Sequence, residues 1–280
     1  MILIADSGST KTAWRLIDDN GNIHQAETNG LNPWLTNESK FIQTLKEGLP
    51  NNWLTERTKE IHFYGAGCGS QESQKVINKW FNLIFKNAEV SVCTDLLAAA
   101  RATCGKSQGI ACILGTGSNT CFYNGNKIAY KAPSMGYVLG DEGSGNYMGK
   151  KLLKAYYNKQ LPPHLAKSLE TEFNMSKDHV LDHVYKQPQA NKYLASFAKF
   201  IGTNQNDTFL AKFVYDIFSE FLDQVVLLDP EHKYKVNFVG SIAHHFSNIL
   251  TKATKDAGFQ IGVIIQSPIA GLTLYHKEKQ

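Results

Sequence analysis

The chain has no run of about 18 apolar residues, no Cys-x-x-Cys pair, no clustered basic face and no complete Walker loop. Each absence excludes a class. Without a long apolar run there is nothing from which to build a membrane-spanning helix, and Met1-Ile2-Leu3-Ile4-Ala5 meets Asp6 too early for a signal-peptide core. No membrane association and a cytoplasmic location are expected. The five cysteines, Cys68, Cys93, Cys104, Cys112 and Cys121, are odd in number and unpaired in spacing, so neither a disulfide framework nor a zinc ribbon is supported. Reduced thiols are expected, with Cys93 and Cys112 acting as small buried hydrophobes inside apolar runs. Lys plus Arg at 29 against Asp plus Glu at 25 leaves +4, spread along the chain except at its Lys-tipped end, and nucleic acid is not implied. A Walker loop needs Gly, four residues, Gly-Lys and then Ser or Thr. Gly105-Lys106-Ser107 has Ala100 at the first position, while Gly149-Lys150 has Ser144 there and Lys151 after it.

What is present belongs to a folded protein. The chain is 42% hydrophobic and 19% charged, with 22 Gly and only 8 Pro. At about 150 residues per domain, 280 residues suggest two domains. Ile2 to Ala5, a loop Asp6-Ser7-Gly8-Ser9-Thr10-Lys11-Thr12, Ala13 to Ile17 and the turn Asp19-Asn20-Gly21-Asn22 read as a hairpin. Ile110 to Leu114, Gly115-Thr116-Gly117-Ser118-Asn119-Thr120, Cys121 to Tyr123 and Asn124-Gly125-Asn126 repeat that plan. Aligning Ser7-Gly8-Ser9 on Thr116-Gly117-Ser118 gives an offset of 116 − 7 = 109 residues, and a duplicated domain follows.

Between the copies the periodicity predicts a helix over 39–49, a strand over 60–64 ending in Gly65-Ala66-Gly67-Cys68-Gly69, a helix over 72–85, a strand over 89–93 and a helix from Leu96. This is α/β order. The second half reads as mostly helical, with helices over 147–159, 192–202 and 207–228, a strand over 235–239, a helix from Ile242 and a last short one over 267–275. In the long helix Phe209, Phe213, Ile217, Phe221 and Val225 recur every four residues, which suits a core helix or, less well given Lys212, Asp216, Glu220 and Asp223, a membrane-surface or partner-binding one.

Gly-rich turns at strand ends can cradle phosphate, because successive backbone N–H groups converge on an anion and glycine lets it approach the main chain. Two facing copies would grip a polyphosphate, with Thr10 and Thr116 as hydroxyl donors. Asp6 suits a hydrated magnesium ion, which uses few carboxylates, or alternatively an Asx-turn cap.

Asp6 to Thr12, Thr94-Asp95, Leu114 to Asn119, Gly140-Asp141-Glu142-Gly143-Ser144-Gly145 and Val239-Gly240-Ser241 together resemble, in this order, the N-acetylglucosamine kinase branch of the BadF/BadG/BcrA/BcrD ATPase family. The resemblance spans nearly the whole chain, weakest from Lys151 to Lys235. It implies an α/β fold of two duplicated ribonuclease-H-like, actin-like ATPase domains, residues 1–108 and 109–267, with a nucleotide and sugar cleft between them and a C-terminal helix, 268–280, packed on the first. It further implies ATP and Mg2+ as cofactors and transfer of a phosphoryl group to the 6-hydroxyl of N-acetylglucosamine or a related amino sugar. A homodimer is left open.

Carried over by motif, Asp6, Gly8, Ser9, Thr10, Lys11 and Thr12 resemble the first phosphate loop, with Asp6 also the magnesium residue. Gly115, Thr116, Gly117 and Ser118 resemble the second, and Gly240 and Ser241 the adenosine turn. Asp95 stands where the family has its catalytic carboxylate. A strand-end acid there could accept a sugar hydroxyl proton, or could instead cap the helix from Leu96. Asn32, Asn119 and Asp141 resemble the sugar-binding groups, although Asp141-Glu142 also suits a solvated helix entrance. Met135 stands where the family usually has Trp, and Pro33 where it has His. The rival reading is an ATPase that activates a partner enzyme, whose second loop would read Gly-Gly-Gln-Asp and whose cysteines would hold an iron-sulfur cluster.

Overall fold

The computed structural model describes residues 1–8 and 10–278, so the Ser9 position of the first loop lies outside the described residues. Contacts along the chain divide it into two units: Met1–Lys106 together with the chain from Pro268, and Ser107–Ser267.

The first unit contains β1 (Ile2–Ser7), β2 (Lys11–Ile17), β3 (Ile23–Asn29), α1 (Glu38–Gly48), β4 (Glu60–Gly65), α2 (Gln71–Ile84), β5 (Glu89–Thr94) and α3 (Asp95–Cys104). The second contains β6 (Gln108–Leu114), β7 (Ser118–Asn124), β8 (Ile128–Lys131), α4 (Gly136–Leu139), α5 (Gly145–Tyr157), α6 (Pro163–Glu172), α7 (Lys177–Tyr185), α8 (Ala190–Thr203), α9 (Thr208–Leu228), β9 (Val236–Val239), α10 (Ser241–His245), α11 (Ser247–Asp256) and β10 (Ile261–Ile265). Helix α12 (Ile269–Lys277) completes the first unit.

The duplication is visible in the sheets, ordered β3-β2-β1-β4-β5 and β8-β7-β6-β9-β10. In both, an antiparallel hairpin precedes two parallel strands. Register corrects the motif alignment. Ser7 pairs with Thr12 and Leu114 with Ser118, so the hairpin ends correspond at offsets of 114 − 7 = 107 and 118 − 12 = 106, and the second loop is one residue shorter than the first.

Strand β1 is buried on both faces because it is central in its sheet. Its odd residues Leu3 and Ala5 join Trp14, Phe63 and Phe81 in one core. Its even residues Ile2 and Ile4 join Ile17, Ala98, Ile269 and Leu272 in another. The two-residue repeat of strand side chains distributes one apolar run between two layers. Gly271 permits the second layer, since a Cβ there would run into the Ala102 carbonyl of α3.

Helix α9 is a core helix. Leu210, Val214, Ile217, Phe218, Phe221, Leu222 and Val225 are buried, while Phe209 and Phe213 pack at the margin. Among the described residues no helix is long and apolar enough to cross a membrane. Gly149, which read as part of a failed Walker loop, serves packing: a Cβ there would collide with the Leu194 carbonyl, so α5 and α8 meet backbone to side. Cys112 is buried beside Thr120, and Cys93 is half-buried beside Ser91.

Strands β3 and β8 escape the sequence reading because they are largely exposed and show no apolar alternation. Strand β10, Ile-Gly-Val-Ile-Ile, pairs with β9 in parallel across an irregularity; its β-branched run is a local strand signal that the sequence reading passes over, while its partner and register are long-range choices.

Candidate functional site

In the first unit the β1–β2 loop is closed by Gly8 N–H donating to the Lys11 carbonyl at 2.9 Å. The Thr12 hydroxyl donates to the Asn29 carbonyl at 3.1 Å and lies 2.8 Å from Ser7 Oγ, which accepts from Leu31 N–H at 3.0 Å. Thr12 is buried and occupied by these bonds, and Lys11 pairs with Glu27 at the surface. Gly8 and Thr10 remain exposed in the loop. Asp6 is half-buried within β1, paired through its backbone with Ala13 on one side and Tyr64 on the other.

The same hydroxyl of Ser7 thus ties the loop to the segment leading to Asn32. Asn32 Oδ1 accepts Trp34 N–H at 2.9 Å, its backbone carbonyl accepts Leu35 and Thr36 N–H groups, and Trp34 Nε1 donates to the Gly67 carbonyl at 3.1 Å. Gly67, at φ 85°, takes a conformation that favours glycine and leaves no space for a Cβ beside Asn32. The Gly65–Gly69 turn is therefore the wall against which Asn32 is set. The sequence marks it by three glycines in five residues, without saying what it supports.

Asp95 stands at the junction of β5 and α3. The helix begins at Asp95, one residue earlier than expected, and its N-cap is Thr94, whose hydroxyl accepts Leu97 N–H at 3.1 Å. The capping alternative for Asp95 is thereby corrected: the cap belongs to Thr94. Asp95 Oδ1 accepts Leu96 N–H at 2.9 Å, yet burial outweighs this and pushes the carboxyl up to about 6. Burial and, secondarily, the charge of Asp95 push the nearby Cys68 thiol up to about 12, which leaves it unreactive.

In the second unit the β6–β7 loop rests on the first turn of α5. Gly145 N–H donates to the Gly115 carbonyl at 2.9 Å and Asn146 N–H to the Thr116 carbonyl at 3.1 Å. The helix N-terminus is spent on the loop's carbonyls. Thr116 is exposed. Gly240, at φ 127°, packs so closely under Leu114 and Gly115 that a Cβ would overlap the Leu114 carbonyl, which brings the Gly240-Ser241 turn against the second loop.

Asp141 joins this group. Its Oδ1 accepts Ser118 N–H at 3.4 Å and its Oδ2 accepts Asn146 Nδ2 at 2.6 Å. The helix-entrance alternative is also corrected, because the α5 cap is Ser144, whose Oγ accepts Tyr147 N–H. Glu142 accepts Gln224 Nε2 at 2.7 Å, and Lys150 donates to the Tyr137 and Gly140 carbonyls, with burial lowering the pKa of its amine. Asn119 Oδ1 accepts Thr120 N–H at 3.0 Å. Met135, in place of an aromatic, is 60% exposed. Sequence reasoning passed over Asn146 and Lys150; the signal for Lys150 was its near-Walker setting, read for the wrong reason.

Among the described residues no three or more His, Cys, Asp or Glu side chains are grouped to hold a metal ion. Asp6 offers a single carboxylate, the donor chemistry that a hydrated magnesium ion held mainly by phosphate and water would use.

Two duplicated α/β units, each with a glycine-bearing hairpin loop at the end of its first strand, define a ribonuclease-H-like fold of the actin-like ATPase and sugar kinase type. The chain belongs to the BadF/BadG/BcrA/BcrD ATPase family, whose model matches residues 5–273. A solved candidate N-acetylglucosamine kinase from Porphyromonas gingivalis is 34% identical, covers 99% of both chains and superposes with a TM-score of 0.92. The chain is also 28% identical over 145 residues to an N-acetylmuramic acid/N-acetylglucosamine kinase of Clostridium acetobutylicum, covering 49% of this chain and 47% of that one. It is 25% identical over 164 residues to an N-acetyl-D-glucosamine kinase of Dictyostelium discoideum, covering 53% and 51%. The chain thus spans about half the length of these curated relatives in the matched region.

Proposed function

We propose that this protein is an ATP-dependent kinase that phosphorylates N-acetylglucosamine, or a related N-acetyl amino sugar, at the 6-hydroxyl. The observation that carries the reading is Asp95: a carboxylate at a strand end, relieved of capping by Thr94 and raised to about 6, has the protonation behaviour of a general base near neutral pH. The names of the relatives supply the substrate class.

In this reading the exposed Gly8, Thr10 and Thr116 and the half-buried Gly115 and Gly117 bind the ATP phosphates, with the buried Ser118 at the base of the second loop, and Gly240 and Ser241 contact the adenosine. Asn32, Asn119 and Asp141 accept and donate hydrogen bonds to the sugar. Asp95 takes the proton of the 6-hydroxyl as that oxygen bonds to the γ-phosphorus and the bond to the ADP oxygen breaks. Asp6 would hold Mg2+ through water, and the ion, when bound, neutralises charge on the phosphates. Of the predicted loop residues, Lys11 and Thr12 contribute least, because their side chains are already bonded elsewhere.

The test is ADP release with magnesium-ATP across glucose, glucosamine, N-acetylglucosamine, N-acetylmannosamine and N-acetylmuramic acid. Stimulation by at least one N-acetyl sugar is expected. No stimulation by any of them, in protein shown to bind ATP, overturns the reading, and a product phosphorylated elsewhere than O6 corrects the position.

A further inference from the structure

Asn146 is wholly buried in the first turn of α5. Its Nδ2 donates to Asp141 Oδ2 at 2.6 Å, while its Oδ1, equally sealed from solvent, has no hydrogen-bond partner. An orphan buried acceptor is unfavourable, and alanine at this helical position would have better propensity and no orphan. The fold alone gives no reason for the amide. Its one side-chain contact with a donor role is Asp141.

The surroundings of Asp141 are built to be rigid. Its φ of 62° lies in the left-handed region that a non-glycine residue seldom adopts. The Lys150 amine grips the carbonyls of Tyr137 and Gly140 just before it. Its carboxylate lies on Gly117, where a Cβ would come within 2.9 Å of Oδ2. With the backbone held, what remains free is rotation of the carboxylate, and Ser118 N–H and Asn146 Nδ2 fix one oxygen each.

We propose that Asn146 is a positioning residue for the sugar, acting through Asp141: it aims the carboxylate's remaining acceptor sites at substrate hydroxyls and couples them to the second phosphate loop. This rests on the kinase reading and deepens it. An ionised carboxylate has about four acceptor sites, and two of them stay open here. A carboxylate held by two donors loses little freedom when hydroxyls bind, whereas an unheld one must be ordered by the sugar itself.

The charged and titratable groups around the pair are Glu142, Lys150, Tyr147 and Lys151, the last two both bonded to Glu220 of α9. Asn146→Asp exploits this setting. Two carboxylates at that separation share one proton at low pH, reproducing the hydrogen bond, and repel each other once both ionise. Asn cannot titrate.

Steady-state kinetics with the accepted sugar and thermal unfolding would be followed from about pH 5.5 to about 8.5 for the wild type, Asn146→Ala and Asn146→Asp. Each variant is compared with the wild type at the same pH, which cancels titration of Asp95. For Asn146→Ala the sugar KM is expected to rise about tenfold with kcat changed less than about threefold. For Asn146→Asp the sugar KM is expected near the wild-type value at the acid end and about tenfold higher at the alkaline end, with a parallel fall in Tm. Should Asn146→Ala not fold, the pH series of Asn146→Asp decides alone. Sugar KM values matching the wild type at every pH overturn the proposal while the kinase reading stands. Absence of sugar-stimulated turnover in the wild type removes the kinase reading and this role with it.

Discussion

Thr94 caps helix α3, and Asp95, the next residue, is left to stand in its first turn with a carboxyl raised to about 6. A strand-to-helix junction usually needs one short polar side chain for the cap. Here Thr94 supplies that cap, and the carboxylate of Asp95 is the group to which the proposed reaction assigns the proton transfer.

Asp95→Asn is therefore expected to fold and to bind sugar and nucleotide, with kcat lower by about a hundredfold or more. Thr94→Ala should do the reverse, costing about 1 kcal/mol of stability while the rate per folded molecule changes little. Circular dichroism melts with turnover assays on both variants check this division. A large kcat loss confined to Thr94→Ala would reassign the roles.

The raised carboxyl also sets a pH dependence. A base must be ionised to accept a proton, so kcat/KM is expected to climb through about pH 6 and level off above it. Stability runs the other way. The folded state holds the Asp95 proton more tightly than the unfolded chain does, so this group's contribution to ΔG of unfolding falls as pH rises from about 4 to about 6. Asp95→Asn should then melt higher than the wild type at neutral pH, with the gap closing below about pH 4. A gap independent of pH would show that the carboxyl is not perturbed.

Gly240 admits no side chain. Its φ of 127° alone costs a substituted residue about 1–3 kcal/mol, and a Cβ would also overlap the Leu114 carbonyl. Gly240→Ala should displace the second loop and weaken ATP binding about tenfold or more, measured by calorimetry. Unchanged affinity would remove Gly240 from the nucleotide site.

Gly271→Ala examines a structural contact. Its methyl would enter the Ala102 carbonyl where α12 crosses α3, so the layer of Ile2, Ile4, Ile269 and Leu272 must open. A loss of about 2 kcal/mol or more is expected, seen as faster amide exchange in β1 and α3. Exchange in the second unit's sheet should stay unchanged.

The sequence determined a good deal by itself. Hairpin turns at Asn20-Gly21 and Asn124-Gly125, apolar runs of strand length and the four-residue repeat of α9 are local signals, because turn geometry, pleat and helix pitch depend only on near neighbours. Those signals sufficed for the duplication, the α/β order and the positions of both glycine loops. Tertiary structure decided what each polar side chain does. Thr12 and Thr116 both belong to the glycine-bearing hairpins, yet one hydroxyl is bonded inside the sheet and the other residue is exposed. Asp95 was relieved of capping by its neighbour, Asp141 was fixed by a helix that begins after it, and Gly149 met a backbone 45 residues away at Leu194. Hydrogen-bond partners and close approaches of this kind are set by chain segments far apart in sequence. Residue type gives a side chain its capacity to bond, and only the packed fold gives it a partner.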